Sequence, residues 1–311
     1  MATPLRPLFV VNPAAAGGLS ERQLTDLHAL FLRYFPHAHV RKSDDGNHAS
    51  AIAKAASSEG FDAVVAVGGD GMIHHVAQGL IGTKNAPALG MFVVGTGGDL
   101  RRSFGIEHRP DRYLEAIKSG QVRAIDTLHV SFEHQGTKTE RHVLNVASVG
   151  MGGWVDSYVR TAPRMLGASA AYYLASLQGL LKTPLLELEV RVDGTLHQVQ
   201  TRMLALCNGR YFGAGMHIAP DASLDDGVVD LVALTQRTRL GFVRNSSSIY
   251  DGSHIGRATT WHTRGKHIEV WIKPSQMYAA RLDLDGEPLG HAPLTLKTAP
   301  KSLLVFDNGT T

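Results

Sequence analysis

Cysteine is almost absent. Cys207 is the single one in 311 residues, which excludes an intramolecular disulfide and fits a reducing compartment. Aromatic residues make up only 7% of the chain, and no basic run interleaves with them as a nucleic-acid groove requires. A net charge of +3 favours an anionic surface weakly, so no nucleic-acid partner is expected. Long apolar runs are missing too. Ala168–Leu181 contains polar residues and Met203–Cys207 is far below spanning length, so no transmembrane helix is expected. A secretory leader is not expected either, because Met1–Pro7 carries two prolines and the apolar run Leu8–Val11 is short. The sixteen histidines show no zinc spacing, and His-Glu-x-x-His is absent. Gly-x-x-x-x-Gly-Lys-Ser/Thr and the protein-kinase catalytic-loop signature are absent as well. There is no internal repeat or low-complexity segment.

Glycine is plentiful, with 33 residues, and its clustering carries information. Up to about residue 125, short apolar runs alternate with helical periodicity. Strands are expected at Leu8–Asn12, Ala38–Lys42, Ala63–Val67 and Leu89–Val94. Helices are expected at Glu21–Tyr34, His48–Glu59 and Ile73–Leu80. Buried runs separated by helices imply βαβ units and a parallel sheet. Three glycine-rich loops, Pro13–Gly18, Gly68–Gly71 and Gly95–Gly98, follow such strands. Open parallel sheets bind ligands beyond the carboxyl ends of their strands, so these loops are expected on one edge.

After Asp126 the pattern becomes one of short, often alternating strands. They are expected at Thr127–Phe132, Arg141–Val149, Leu186–Val192, Val199–Cys207, Val228–Leu234, His267–Ile272, Arg281–Leu284 and Leu294–Lys297. Such a series indicates an antiparallel sandwich or barrel. Helices are expected only at Gly153–Arg160, Ala168–Lys182 and Arg239–Tyr250. The apolar stripe Tyr172, Tyr173, Leu174, Leu177, Leu180 and Leu181 reads as core packing, with membrane docking or lipid-tail contact as the alternative. The fold class is therefore an α/β domain over residues 1–125 followed by a mainly antiparallel β-sandwich over 126–311, the last strand returning to the first domain.

The loops carry the chemistry. At Gly68-Gly69-Asp70-Gly71 a buried strand ends in residues without Cβ atoms and a helix begins, so backbone amides and the helix dipole favour an anion. Asp70 could act through magnesium or position a charged group. Gly95-Thr96-Gly97-Gly98-Asp99 repeats that logic, while Asn12 adds a polar side chain at the first strand's end. Ala219–Gly227 holds three carboxylates, Asp221, Asp225 and Asp226, a density that suits a hard cation. Asp285-Gly286-Glu287 sits at a bend, where a carboxylate can serve as general base to a hydroxyl. Each has a plainer reading as a turn, a helix cap or a solvated acidic loop.

In this order and at these intervals, the segments resemble the diacylglycerol kinase and sphingosine kinase superfamily, including the bacterial lipid kinases, over nearly the whole chain. The resemblance implies an α/β nucleotide domain followed by a β-sandwich lipid domain, related to NAD kinase. It also implies ATP- and Mg2+-dependent phosphorylation of a hydroxyl on a membrane lipid, such as a diacylglycerol-like lipid, phosphatidylglycerol or a sphingoid base. By motif, Asn12, Pro13, Gly17, Ser43, Gly68, Gly69, Asp70, Gly71, Met72 and Thr96 would line the ATP site. Glu287 matches the base, Asp70 would organise phosphate and magnesium, and Asp126 would support the site. Ser223, Asp226 and Val228 match a structural magnesium site. A cytoplasmic protein, peripheral at the inner face of the membrane, is implied. Three positions depart from the pattern: Met72 replaces threonine, His74 replaces asparagine, and Gly98 replaces the second loop's asparagine. A lipid-binding or regulatory homologue without turnover therefore stays open, as does an NAD kinase.

Overall fold

In the computed structural model, which describes residues 5–95, 98–159, 175–176 and 178–307, the chain divides into two units. One comprises Met1–Ile125 with Lys301–Thr311, the other Asp126–Pro300. In the first, β1 (Pro7–Val11), β2 (His39–Lys42), β3 (Ala63–Gly68) and β4 (Ala88–Val93) pair in parallel in the order β2-β1-β3-β4. Beside β4 lies the end of the long C-terminal strand, with Val305 opposite Leu89, also parallel. Every residue of β1, β3 and β4 is buried, as parallel strands covered on both faces must be.

The helices begin where local chemistry supplies acceptors for their first amides. Ser20 and Gln23 form a reciprocal capping box at α1 (Glu21–Tyr34). Asp45 accepts from His48 N at 2.8 Å to open α2 (Gly46–Ala56). Next come α3 (Asp70–Leu80), α4 (Asp99–Ser103) and α5 (Pro110–Lys118), the last with proline in its first turn. The helices cover the sheet with aromatics: Phe31 of α1 stacks on Phe9 at 3.9 Å and meets the edge of Phe92 at 5.1 Å.

The second unit is built from antiparallel pairs. β5 (Val122–His134) and β6 (Thr137–Val143) form a hairpin turned at Gln135 and Gly136, both at positive φ. β7 (Val146–Gly150) leads into α6 (Met151–Val159), followed by β8 (Leu186–Val192), β9 (Thr195–Thr201), β10 (Met203–Cys207) and β11 (Val229–Leu234). α7 (Arg239–Asn245), β12 (Thr260–Gly265), β13 (His267–Ile272), β14 (Arg281–Leu284) and β15 (Glu287–Phe306) complete it. One run reads β12-β11-β10-β7-β14-β15; another reaches β15 as β9-β8-β13. Between them lies a core that includes Leu128, Val149, Leu188, Leu206, Leu231, Val270, Leu284 and Leu296. Strands β10 and β11 are buried on both faces. Leu204 and Leu206 enter that core, while Met203, Ala205 and Cys207 face a second one shared with Val155, Leu180 and Phe242. The architecture is thus the expected α/β domain followed by an antiparallel β-rich sandwich.

Several element boundaries differ from expectation. The strand expected at Arg141–Val149 is two, β6 and β7, because Leu144, Asn145 and Val146 turn their amides to the Asp285 carboxylate instead of continuing one ladder. The strand expected at Val199–Cys207 breaks at Arg202, where Thr201 Oγ1 bonds locally to Met203. Leu294–Lys297 is the middle of the 20-residue β15. β12 and α5 were not expected, although α5 is amphipathic and buries Tyr113, Leu114, Ala116 and Ile117. The helix expected at Arg239–Tyr250 is α7 followed by a 3-10 turn, Ser246–Ile249. Most of the helix expected at Ala168–Lys182 lies outside the described residues, including Tyr172, Tyr173, Leu174 and Leu177. Of its stripe, Leu180 is buried but Leu181 is 65% exposed. No helix of the described residues is long and apolar enough to cross a membrane.

Close approach of α2 and α3 sets the height of α3 over the sheet. A Cβ at Gly79 would lie 2.1 Å from the Ser50 carbonyl oxygen, a backbone atom that cannot swing away. Helix propensity alone favours alanine there by about 1 kcal/mol, whereas overpacking costs about 1–3 kcal/mol. Gly79→Ala is expected to lower the urea midpoint; a raised midpoint would show that the helices separate without cost.

Candidate active site

The strand order reverses between β1 and β3, and such a switch point leaves a crevice at the carboxyl ends of the two strands. Asn12 follows β1 there. Its amide donates to Val67 O at 3.1 Å, and its side-chain Oδ1 accepts from Ala14 N at 2.9 Å. Pro13 O accepts from Leu19 N at 2.7 Å, closing the loop around Gly17, whose φ is 93°. Ser43, at the end of β2, donates its amide to Val11 O at 2.8 Å and lies with its hydroxyl 3.9 Å from Met72 Sδ. Gly68 must be small, since a Cβ there would come 2.8 Å from Met72 Cβ. Asn12, Ser43, Gly68 and Met72 therefore share one strand-end cluster. At 5% exposure, Met72 is buried in that cluster, its sulfur beside the Ser43 hydroxyl.

Gly69 is the N-cap of α3. An added Cβ there would meet nothing within 4 Å, so the first turn of α3, containing Asp70 and Gly71, opens onto free space. Helix geometry leaves its first amides without intrahelical acceptors, and the dipole favours an anion. Asp70 does not cap its own helix. Its carboxylate accepts from Gly98 N at 2.8 Å, Asp99 N at 3.1 Å and Leu100 N at 3.5 Å. The group expected at phosphate and magnesium thus holds the second glycine loop and the start of α4 against α3. Thr96 lies outside the described residues. Gly98 adopts φ 106°, a conformation an asparagine would tolerate with more strain.

Two residues of this region carried no signal in the sequence. His108 Nε2 lies 2.6 Å from Gly95 O, and its Nδ1 lies 2.6 Å from Tyr113 OH. A carbonyl only accepts, so Nε2 carries the proton and Nδ1 receives the phenol's. Burial raises the Tyr113 hydroxyl to about 12, keeping it a donor. The pair anchors the entry to the second loop, yet a lone histidine and tyrosine five residues apart match no motif.

In the second unit Asp126 is 1% exposed, and its carboxylate accepts from Gly227 N at 2.6 Å. Its amide donates to Leu224 O at 2.6 Å, and Asn208 Nδ2 reaches both Asp126 O and Leu144 O. Asp126 therefore fixes the acidic turn from beneath. In that turn Ser223 Oγ donates to Asp225 Oδ1, and Val228 N donates to Asp226 Oδ1 at 3.2 Å. Asp226 is also ion-paired to Arg264, which bridges to the buried Asp230 at 3.2 Å. Although burial works against its charge, the carboxylates of Asp230 and Asp226 hold the Arg264 guanidinium above its ordinary value. No group of three or more His, Cys, Asp or Glu residues placed to hold a metal occurs among the described residues. Of Ser223, Asp226 and Val228, only Asp226 brings a carboxylate, and the Arg264 guanidinium is paired with it.

Glu287 opens β15 directly after a two-residue turn in which Asp285 and Gly286 take φ of 55° and 85°, the Asp-Gly hairpin geometry. Asp285 accepts from Leu144 N at 2.7 Å, Asn145 N at 2.9 Å and Val146 N at 3.1 Å. The turn is thereby fixed to β7, and Glu287, half-buried, projects from a rigid element.

Two family models match consecutive parts of the chain: the diacylglycerol kinase catalytic domain over residues 6–130, and the YegS C-terminal NAD kinase beta sandwich-like domain over 145–307. This chain belongs to the diacylglycerol kinase-like lipid kinase family. Among relatives, a diacylglycerol kinase of Bacillus subtilis is 27% identical over 93% of this chain and 91% of its own. One of Mycobacterium tuberculosis is 28% identical over 84% and 82%. A crystal structure of a diacylglycerol kinase from Bacillus anthracis superposes with a TM-score of 0.70 at 19% identity, covering 98% of this chain and 97% of that one. Yeast NADH kinase, solved with NADH, matches at 0.54 and 13%, covering 100% and 85%. These two likenesses concern the fold alone.

Two predictions follow from the geometry of this lipid-kinase family member. Asp70→Ala removes the acceptor of the second loop's amides and is expected to cost about 1–3 kcal/mol in a urea titration; an unchanged midpoint would mean water replaces it freely. Melting with EDTA and with millimolar Mg2+, in the absence of nucleotide, is expected to give the same midpoint. A rise with Mg2+ that disappears in Asp226→Ala would restore a cation at that turn.

Proposed function

We propose that this chain transfers the γ-phosphoryl group of ATP to a hydroxyl of a membrane lipid. The observation that carries this reading is the Asp70 clamp. It fastens the Gly98–Leu100 segment beside the open first turn of α3, so the second glycine loop is held next to that turn's free amides. Asn12, Gly17 and Ser43 extend the same edge. These groups suit a chain of phosphates, which is bound mainly by positioned amides and stabilised through preorganised dipoles. Magnesium carried on the nucleotide would neutralise phosphate charge. Glu287 takes the proton of the lipid hydroxyl as its oxygen bonds to the γ-phosphorus, and ADP leaves with the electrons of the broken bond. Positioning and charge stabilisation supply most of the rate.

Met72 and His74 do not argue against turnover in this reading. His74 is 2% exposed and belongs to the packing of α3, while Met72 fills the strand-end cluster. The experiment is Mg2+-dependent ATP consumption with a mixed lipid extract, diacylglycerol, or NAD as acceptor. Lipid-dependent consumption supports the proposal; NAD-dependent consumption replaces it with a dinucleotide kinase, and none with either acceptor sinks it. Glu287→Gln is expected to keep the melting temperature and ATP affinity while lowering turnover by about a hundredfold or more. Turnover within a factor of a few of wild type would remove Glu287 from the role.

A further inference from the structure

We propose that the face of the second unit formed by α7 and residues 178–182 docks onto an anionic phospholipid bilayer. Large apolar side chains stand open to solvent on it: Leu240 is 79% exposed, Leu181 65% and Val243 39%. Leu240 and Val243 lie three residues apart and so share one side of α7, while Phe242 faces the core. The two segments are tied together, because the Arg239 guanidinium donates to Leu180 O at 3.2 Å and Leu181 O at 3.0 Å. Leu181 and Leu240 consequently flank one arginine on a common surface.

The charge of this face has one sign. Lys182, Arg237, Arg239 and Arg244 are exposed, and neither Ala175–Leu186 nor Leu231–Tyr250 contains an aspartate or glutamate. Beneath it lies Arg202, 6% exposed, which donates to Thr183 O and Arg237 O at 2.9 Å each and leaves Nε without a hydrogen-bond partner. Burial, and next the nearby Arg239, push the Arg202 guanidinium below its ordinary value. A buried cation bonded only to carbonyls keeps its field, and an external anion relieves it. Exposed leucines ringed by unneutralised cations match a bilayer surface, where side chains enter the headgroup region and basic residues meet anionic lipid. A protein interface would more often be anchored by aromatics at its centre. The proposal rests on the lipid-kinase reading for its purpose, which is to bring the chain to its substrate, but not for its physical basis.

The test is sedimentation of the full chain with vesicles of phosphatidylcholine, alone or with phosphatidylglycerol, at low and high salt. Binding is expected only with phosphatidylglycerol and is expected to weaken with salt. Lys182→Glu and Arg244→Glu should each lower the partition coefficient by about fivefold or more, and Leu240→Ser by about tenfold, with circular dichroism unchanged. Equal partition of wild type and the Lys182→Glu/Arg244→Glu double variant overturns the proposal. So does a variant that changes only the sedimentation velocity mass, which would make the face a contact between copies of the chain. Turnover on lipid in neutral detergent micelles is expected to be the same in all variants. Absence of wild-type turnover in micelles counts against the kinase reading while leaving the vesicle result intact.

Discussion

A carboxylate that gathers converging backbone amides is the interaction on which both units depend. Asp70 collects Gly98, Asp99 and Leu100; Asp285 collects Leu144, Asn145 and Val146; Asp126 holds Gly227. Charge-assisted bonds of this kind are shorter and stronger than neutral ones, and a loop amide left buried without an acceptor is costly. Each aspartate thus fixes a turn that its own local sequence leaves free. The glycine loops would otherwise have many conformations to lose on binding a ligand. Pinned in advance, the second glycine loop has fewer conformations to lose.

Charge is handled differently at the acidic turn. Asp226 and Asp230 share Arg264, and His262 Nε2 lies 3.0 Å from Asp230. Two carboxylates facing one guanidinium and one imidazole form a connected network. The turn is held by Asp126 from below and by Thr298 Oγ1 on Gly227 O. Arg264 and these contacts hold the turn in place.

Much of the fold was legible. The β8 strand alternates buried Leu186, Leu188, Val190 and Val192 with exposed Glu187, Glu189 and Arg191, because one face meets the core and the other meets water. Helix α1 runs over its expected residues, since Ser20 and Gln23 encode its start and its apolar positions recur at helical spacing. Strand ends were harder to place. Ladders stop where a distant side chain takes over an amide, and neither the Asp285 contact with Leu144 nor the local bonding of Thr201 beside buried Arg202 leaves a mark on periodicity. His108 was illegible for the same reason: its importance is a distance to Gly95 O.

The sequence by itself determined the succession of units, the glycine turns after β1 and β3, and the order of motifs that names the family. These depend on spacing along the chain, which a sequence contains in full. What each carboxylate does was decided by tertiary structure. Asp70, Asp226 and Asp285 look alike in sequence, as acidic residues beside glycine. Amides 28 residues from Asp70 and 141 from Asp285, and a guanidinium 38 residues from Asp226, give them their roles. A carboxylate's function is set by what donates to it, and those donors arrive only through folding.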